Sequence, residues 1–550
     1  MGEARSIVGG KRWRTVRENL VAYAFISPAF LLIFTFGLFP VGFAFYVSLH
    51  RWRRFPDEFV GLAQYERALG EFAHVAFFWL AVLALGMAVL RIVRFTREHR
   101  RDWTAWVAWL PGLGIAATLL SIVAWFVTLL PQALDIPQRL RGQERSSELF
   151  LRELIATVQR PDVVDWGNRA LLVLLITLAL IGLIAWWGRV RNFGGLLLQT
   201  MTAGLLAGIG LVLMALTLDA IAAAIDEAAA AEAELPIWTM LILISAGFGL
   251  LVAAWILWSR GMRQFSDRRW AVMLCLSVAL LGAGYLLVTQ LPVLLGNADR
   301  AMMQAFNVTV MYTIGAVPLQ ILLGLLFAYL LFQKIRLKSM FRIAYFLPYV
   351  TPFVATSIVF GILFSHRPTS PVNQLVTALG IPAQKWLLEP TGIFRLLFGP
   401  GVPDALVGPS LALVVIILYS AWTYIGYATV IYLAGLGNIA NELYEAARID
   451  GAGEWNVFRH ITLPMLSPTT FFLTLIAIIG TLQSFTQVWI LRTPAAAQSV
   501  DTMGVLIYRT ISATQPDMGY GAALSLVLFV VILIFTRIQN RVSESRVHYG

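Results

Sequence analysis

An all-α integral membrane fold with about 12 transmembrane helices is predicted, and three observations predict it. Of the 550 residues, 59% are hydrophobic and 13% are charged, whereas a soluble domain carries about 25% charged residues. The apolar residues gather into twelve runs of about 20 residues or more, the length that crosses a bilayer as a helix. Basic residues sit mainly in the short loops between these runs, the pattern that sets topology. Length is then a poor guide to domain count.

The first run, near 22–49, follows Arg5, Lys11, Arg12, Arg14 and Arg17. It is too long for a signal-peptide core and has no small-residue cleavage site behind it. It reads as a span with its N-terminus in the cytoplasm. Further spans are predicted near 74–93, 103–130, 169–188, 195–223, 237–259, 270–291, 305–332, 341–365, 409–436, 468–490 and 518–537. An even count returns the C-terminal tail, 541–550, to the cytoplasm.

Charge supports this layout. Loops placed inside carry Arg91, Arg94, Arg97, Arg100 and Arg101, then Arg189 and Arg191. They also carry Arg260, Arg263, Arg268 and Arg269, then Lys334, Arg336, Lys338 and Arg342. With the termini they hold the majority of the 41 Lys and Arg. The acidic stretch Asp226–Glu234, with no basic residue, falls outside. Arg51, Arg53 and Arg54 run against the bias. The net charge of +11 is therefore a topological signal and not a nucleic-acid surface.

Segment 366–408 is placed outside. Pro368, Pro371, Pro382, Pro390, Pro400 and Pro403 favour turns over helix there. Within it, Leu387–Phe398 is apolar enough to dip into the membrane or to receive a partner. The lone Cys275 excludes an intrachain disulfide or a multi-cysteine metal site. It lies in an apolar run and reads as a small buried residue. His366 and His460 have no second His or Cys at ligand spacing, so no metal site is predicted. There is no G-x-x-x-x-G-K-[ST] phosphate loop and no nucleophile–base constellation. No enzyme activity is expected of this chain.

One polar interruption stands out, Glu442 to Pro468, between the apolar runs Pro409–Leu436 and Thr469–Ile490. Roughly thirty residues of helical composition are long for a connection. Asn441 reads as an N-cap, with Glu442, Glu445 and Arg448 at three-residue steps on one face. Asp450-Gly451 is a turn signal. A second short helix is expected over Glu454–His460, ended by Leu463-Pro464. Small residues, Ala446, Ala447, Gly451, Ala452 and Gly453, leave room for a partner to approach closely.

These residues carry a resemblance. Glu445-Ala446-Ala447, Asp450-Gly451-Ala452, Phe458, Ile461, Leu463 and Pro464 resemble the EAA loop of bacterial ABC import permeases. In that family the loop, here 437–466, is a coupling helix that docks on the cytoplasmic ATPase. Ser27-Pro28-Ala29 and Phe59–Tyr65 resemble the maltose-type branch, as do Phe306–Thr309, Pro318, Gln320, Leu323, Gly324, Phe341–Pro348, Pro352 and Asn373. The resemblance covers about 22–73 and 302–540. It implies a six-helix type I ABC importer permease core made of the first span within 1–73 and five spans within 301–540. Segment 74–300 departs from the family and is read as six inserted spans. An even number of helices leaves the core uninverted. Their near lack of intramembrane ionisable residues argues for a peripheral or scaffolding role.

Aromatic and polar residues recur in two core spans. The tenth carries Tyr419, Ser420, Trp422, Thr423, Tyr424 and Tyr427; the eleventh carries Thr481, Gln483, Ser484, Phe485, Thr486 and Gln487. Sugars need aromatic faces for their C–H surfaces and hydroxyl or amide partners for their hydroxyls, and this set offers both. Helix-packing contacts and an interfacial aromatic belt would use the same residue types. In the maltose-type family the spans on either side of the EAA loop line the cavity. That implies substrate contacts from Ser420, Thr423, Tyr424, Tyr427, Thr481, Gln483, Ser484 and Phe485, with Tyr427 and Gln483 foremost and Trp422 toward lipid.

The expected function is the permease subunit of an importer for a maltose-, maltodextrin- or trehalose-like oligosaccharide in the bacterial inner membrane. The resemblance implies a second homologous permease, two cytoplasmic ATPase subunits carrying ATP and Mg, and an extracellular or periplasmic binding protein. No cofactor is expected on this chain. Coupling is expected from Glu445, Ala446, Ala447, Asp450, Gly451 and Ala452. A 12-span ion-coupled secondary transporter is the rival reading, and a non-transporting scaffold the third. Secondary transporters usually place ionisable groups mid-membrane, which these spans almost lack.

Overall fold

Ten helices are long and apolar enough to cross a membrane, and two bent helix pairs raise the candidate spans to twelve, among the described residues. This matches the apolar runs read from the sequence. The computed structural model describes residue 18 and residues 21–53, 55–142, 146–187, 192–230, 232, 237–261, 269–333 and 336–544. Arg5, Lys11, Arg12, Arg14, Arg17, Arg54, Arg189, Arg191, Arg263, Arg268 and Lys334 lie outside the described residues, as do Ala231, Ala233 and Glu234 of the acidic stretch and 545–550 of the tail. The chain divides into two compact units, Met1–Ala298 with Gln515–Ala523, and Asp299–Thr514 with Leu524–Gly550.

The first unit opens with α1 (Val21–Ser48). A short antiparallel hairpin follows, β1 (His50–Trp52) and β2 (Pro56–Phe59), then α2 (Ala63–Leu69). Next come α3 (Phe72–Glu98) and α4 (Trp109–Leu134), the short amphipathic α5 (Ser147–Val158), and α6 (Pro161–Trp187). The last three are α7 (Phe193–Ala230), α8 (Ile237–Gly261) and α9 (Arg269–Leu294). Helix α7 packs along α3 and α4, α4 also packs on α6, and α8 pairs with α9. Ser146 caps α5, its hydroxyl accepting from the Glu148 amide, and satisfies a donor that a helix start leaves free. At 38 residues, α7 is roughly 57 Å long, well beyond the roughly 30 Å hydrocarbon layer. Its surplus end carries Asp226 and Glu227. Cys275 on α9 is exposed, not buried as its composition suggested; in lipid an outward apolar face needs no protein cover.

The second unit is built on α10 (Arg300–Phe332) and α13 (Leu411–Gly437), which pack along each other. Helix α13 is the most buried of the candidate spans. The run 341–365 is not one straight span. It forms α11 (Lys338–Val350) and α12 (Phe353–Leu363), bent by 99°. Pro352 lacks an amide hydrogen and pushes the preceding residue out of the helical region; Thr351 accordingly sits at ψ 141°. Helix α11 lies tightly against α13. A Cβ at Gly426 would stand 1.9 Å from the Tyr345 carbonyl oxygen.

After α13 come α14 (Asn441–Ile449) and α15 (Glu454–Met465), then α16 (Ser467–Leu482), bent by 61° from α15. Asn441 is the first helical residue rather than the cap; Ala440 holds the cap position with no side-chain bond. Pro464 does not end α15. A π-turn over Phe458–Thr462 precedes it, so Pro464 falls in the first turn of a new segment, where its missing donor costs nothing. The eleventh run is also broken: α16 stops at Leu482, and α17 (Thr486–Leu491) starts afresh. Helices α18 (Met503–Ser512) and α19 (Met518–Glu544) complete the chain.

Segment 366–408 is not all turn. Pro371 opens a helix, Pro371–Ala378, because its fixed φ suits a first helical position. Asn373 organises the segment. Its amide donates to the carbonyls of Ser365, Arg367 and Gln384, and its oxygen accepts from the Gln384 amide and the Trp386 indole. Leu387 is buried, while Phe394, Leu397 and Phe398 are exposed.

Replacing Gly426 by Leu should cost about 3 kcal/mol, the upper range for overpacking, because the added carbon meets backbone. A clear drop in the melting temperature of the purified chain is expected. An unchanged value would mean that α11 moves freely off α13.

Candidate functional site

The second unit encloses a cavity of about 230 Å³. Helix α10 contributes Tyr312, Gln320 and Ile321; α11 contributes Tyr349. Helix α13 supplies Ser420, Tyr424, Tyr427 and Ala428. Leu473, Ile476, Ala477, Gly480 and Thr481 come from α16, and Gln487 from α17. No Asp, Glu, Lys, Arg or His is among these described lining residues.

One wall is aromatic. The rings of Tyr349 and Tyr427 stack at 5.0 Å, and Tyr424 meets Tyr349 edge-on at 5.9 Å. Opposite polarity comes from two hydrogen-bonded groups. The Gln320 amide donates to Ser420 Oγ at 3.1 Å. The Gln487 amide donates to the Tyr312 hydroxyl at 3.2 Å and to Ser484 Oγ at 2.6 Å. Spare lone pairs on these oxygens, together with the tyrosine hydroxyls, leave room for further polar partners. Such a surface binds neutral, hydroxyl-rich molecules with an apolar face.

Of the residues expected from the sequence, Ser420, Tyr424, Tyr427 and Thr481 line the cavity together. Thr423 does not. It is fully buried, and its hydroxyl donates to the Tyr419 carbonyl at 2.9 Å. Ser484 stands one bond behind the wall, holding Gln487. Gln483 is exposed and is not among the lining residues; it stands two positions from Thr481, on another side, where the helix ends at Leu482. Phe485 stacks with Trp489 at 5.9 Å and contacts Tyr508 at 4.8 Å. Trp422 is 42% exposed on the outer side. Sequence reasoning passed over Tyr312, Gln320 and Tyr349 as contacts, and left Gln487 out of the chosen set. The i, i+8 spacing of Tyr312 and Gln320 on one face of α10 was the available signal.

The loop after α13 has its own geometry. Gly451 adopts φ +74°. Its amide bonds the Arg448 carbonyl at 3.1 Å, and the Ala452 amide bonds the Ala447 carbonyl at 2.9 Å. This is a Schellman ending, which needs a residue tolerant of left-handed angles at that position. The Tyr444 hydroxyl lies 3.2 Å from that of Thr462, tying α14 to α15, and Tyr329 packs edge-on to Phe458 at 4.9 Å. Glu445, Ala446, Asp450 and Gly451 are exposed, while Ala447 and Ala452 are half-buried. Ile449, between Ala447 and Ala452, is 86% exposed, and Trp455, just beyond them, is 68% exposed.

A family model described as the inner membrane component of binding-protein-dependent transport systems matches residues 320–548. The lactose transport system permease protein LacF of Rhizobium radiobacter is 34% identical over 251 residues, 45% of this chain and 78% of the relative. This chain belongs to that permease family. Also similar is the arabinooligosaccharides transport system permease protein AraP of Bacillus subtilis (strain 168), 32% identical over 43% of this chain and 70% of the relative. The trehalose/maltose transport system permease protein MalF of Thermococcus litoralis is 26% identical over 44% of this chain and 74% of the relative. The permease is thus a multi-pass membrane component of a binding-protein-dependent ABC system. It is a transport subunit, not an enzyme.

Gly480 offers a direct probe of the cavity. A Cβ there meets nothing within 4 Å, so a large side chain enters open space. Gly480→Phe should insert and fold normally yet reduce uptake at least tenfold. Uptake at the unsubstituted level would show that the cavity is off the transport path.

Proposed function

We propose that this permease moves an oligosaccharide of the maltose, maltodextrin or trehalose type into the bacterial cytoplasm by alternating access. The observation that carries this reading is the uncharged cavity whose lining combines stacked tyrosines with amide and hydroxyl groups. An anion or cation would meet no counter-charge among the described lining residues. A sugar ring would cover the Tyr349–Tyr427 wall and exchange hydroxyl bonds with Gln320, Ser420 and Gln487. The relatives named for lactose, arabinooligosaccharides and trehalose/maltose support a carbohydrate. An ion-coupled secondary mechanism is not favoured, since it would place titratable groups in this cavity.

At about 230 Å³ the cavity is smaller than the roughly 300–1,000 Å³ usual for ligand pockets. A second, homologous permease would supply the remaining wall. Two ATPase subunits would lie on the cytoplasmic side and a binding protein on the other, with both chain termini in the cytoplasm as the arginine-rich loops suggest. Exposed Ile449 and Trp455 beside the small residues Ala446 and Gly451 suit docking into an ATPase cleft, where apolar anchors give most of the binding energy. Closure of the ATPase pair on ATP would move this loop and, with it, the core helices around the midplane cavity.

Proline cannot adopt the angles of Gly451, whereas asparagine tolerates them. Gly451→Pro should abolish uptake and release the ATPase subunits during mild-detergent purification, with membrane insertion intact. Gly451→Asn should retain most of both. Normal uptake by the proline variant would sink the coupling role. Purifying the unsubstituted chain from its native membrane should bring a homologous permease and an ATPase with it; transport by the lone chain in liposomes without ATP would overturn the proposal.

A further inference from the structure

Away from the cavity, one group of metal-ligand side chains converges among the described residues: Glu66, Glu71 and His74, with donor atoms all within 4.8 Å of one another. The local backbone brings them together. Glu66 lies on α2, Glu71 precedes α3, and His74 is in the first turn of α3. Between them Gly70 turns with φ +61°, and a Cβ there would stand 2.5 Å from the Leu294 carbonyl oxygen. The chain is therefore pressed against the end of α9. The Asn297 side chain donates a hydrogen bond to the Glu71 carboxylate, and Val75 and Leu294 share one buried apolar cluster.

Three properties of this group are unusual. His74 is fully buried, and neither ring nitrogen has a hydrogen-bond partner. Glu71 Oε2 is buried and also without one. Yet His74 Nε2 points at both carboxylates, 3.5 Å from Glu71 Oε2 and 3.8 Å from Glu66 Oε1. Buried polar groups are ordinarily hydrogen-bonded or coordinate a metal. Those separations are long for hydrogen bonds. They suit ligands of one ion: donors about 2.1 Å from a tetrahedral centre lie roughly 3.4 Å apart. Glu66 is partly exposed, which gives an ion a way in and water a coordination position.

We propose that Glu66, Glu71 and His74 bind a divalent transition-metal ion, zinc best matching one imidazole and two carboxylates, at the point where the inserted helices begin and end. With Asn297 holding Glu71 from the end of α9, the ion staples the start of α3 to the segment that closes the insertion. The search for paired histidines or cysteines in the sequence passed over this set, because its ligands are mostly carboxylates and meet only through the Gly70 turn.

The test uses the full chain, purified in detergent with a histidine-free tag and stripped by a chelator. Co²⁺ titration should give visible d–d absorption saturating at one ion per chain, displaced by Zn²⁺, and Zn²⁺ should raise the melting temperature. His74→Leu and Glu71→Gln should each weaken binding by about 100-fold, and Asn297→Ala by about 10-fold, as for supporting partners of metal ligands. The apo His74→Leu chain should melt no lower than the apo unsubstituted chain, since it loses an unsatisfied buried polar group; that keeps the loss of binding distinct from misfolding. Absence of a saturable Co²⁺ or Zn²⁺ site in the unsubstituted chain, or equal binding by folded His74→Leu, would overturn the proposal.

Discussion

Backbone amides and carbonyls have no water to bond within hydrocarbon, so a chain crossing it must satisfy them internally. Two of the apolar runs in the second unit depart from continuous helix, at Thr351–Pro352 and at Gln483–Phe485, and protein hydroxyls bond the backbone beside each. At the first, the Tyr419 hydroxyl donates to the Phe353 carbonyl at 3.2 Å, and the Thr356 hydroxyl lies 2.7 Å from that of Tyr419. At the second, the Thr502 hydroxyl donates to the Ser484 carbonyl at 2.9 Å. Within hydrocarbon, irregular backbone persists only where protein or a cavity receives it. Here Tyr349 precedes one break, and Thr481 and Gln487 flank the other, so both breaks deliver side chains to the cavity wall.

Part of that wall is already paired: Gln320 with Ser420, and Gln487 with Tyr312 and Ser484. These bonds fix the side chains in place, while the spare lone pairs on their oxygens and the tyrosine hydroxyls stay open to a further partner. A buried polar group left unsatisfied costs about 1–3 kcal/mol. A hydroxyl-bearing ligand can meet the open positions, whereas an apolar molecule of the same size would take their water and return nothing. The Tyr312–Ser484–Gln487 group belongs to this wall as much as the ring stack does, and it is built at a helix break.

The architecture was legible because membrane helices must be long and apolar, a signal that survives without tertiary knowledge. The Gly451 turn was legible for a similar reason: the Schellman ending is local. What escaped depended on chain direction in space. Thr423 and Tyr424 are neighbours in sequence, but only one faces the cavity, since successive helix positions differ by about 100°. Gln483 and Gln487 would share a face on an unbroken helix, and the break separates them. Pro352 was available as a signal for the 99° bend, but an apolar run of sufficient length concealed it. Cys275 was misjudged because burial in lipid and burial in protein ask for the same composition.

Exposure carries different information in different parts of this chain. On α3, α4 or α9 an exposed Leu or Val is expected, because lipid is the solvent and such residues lose nothing by facing it. Ile449 and Trp455 are exposed to the same degree within a segment bearing Glu442, Glu445, Arg448, Asp450, Glu454, Arg459 and His460. A segment that charged does not enter hydrocarbon. Its large apolar groups gain cover only from another protein, and the tyrosine–threonine bond between α14 and α15 holds them in place before any partner arrives. Preorganisation of this kind lowers the ordering cost of association.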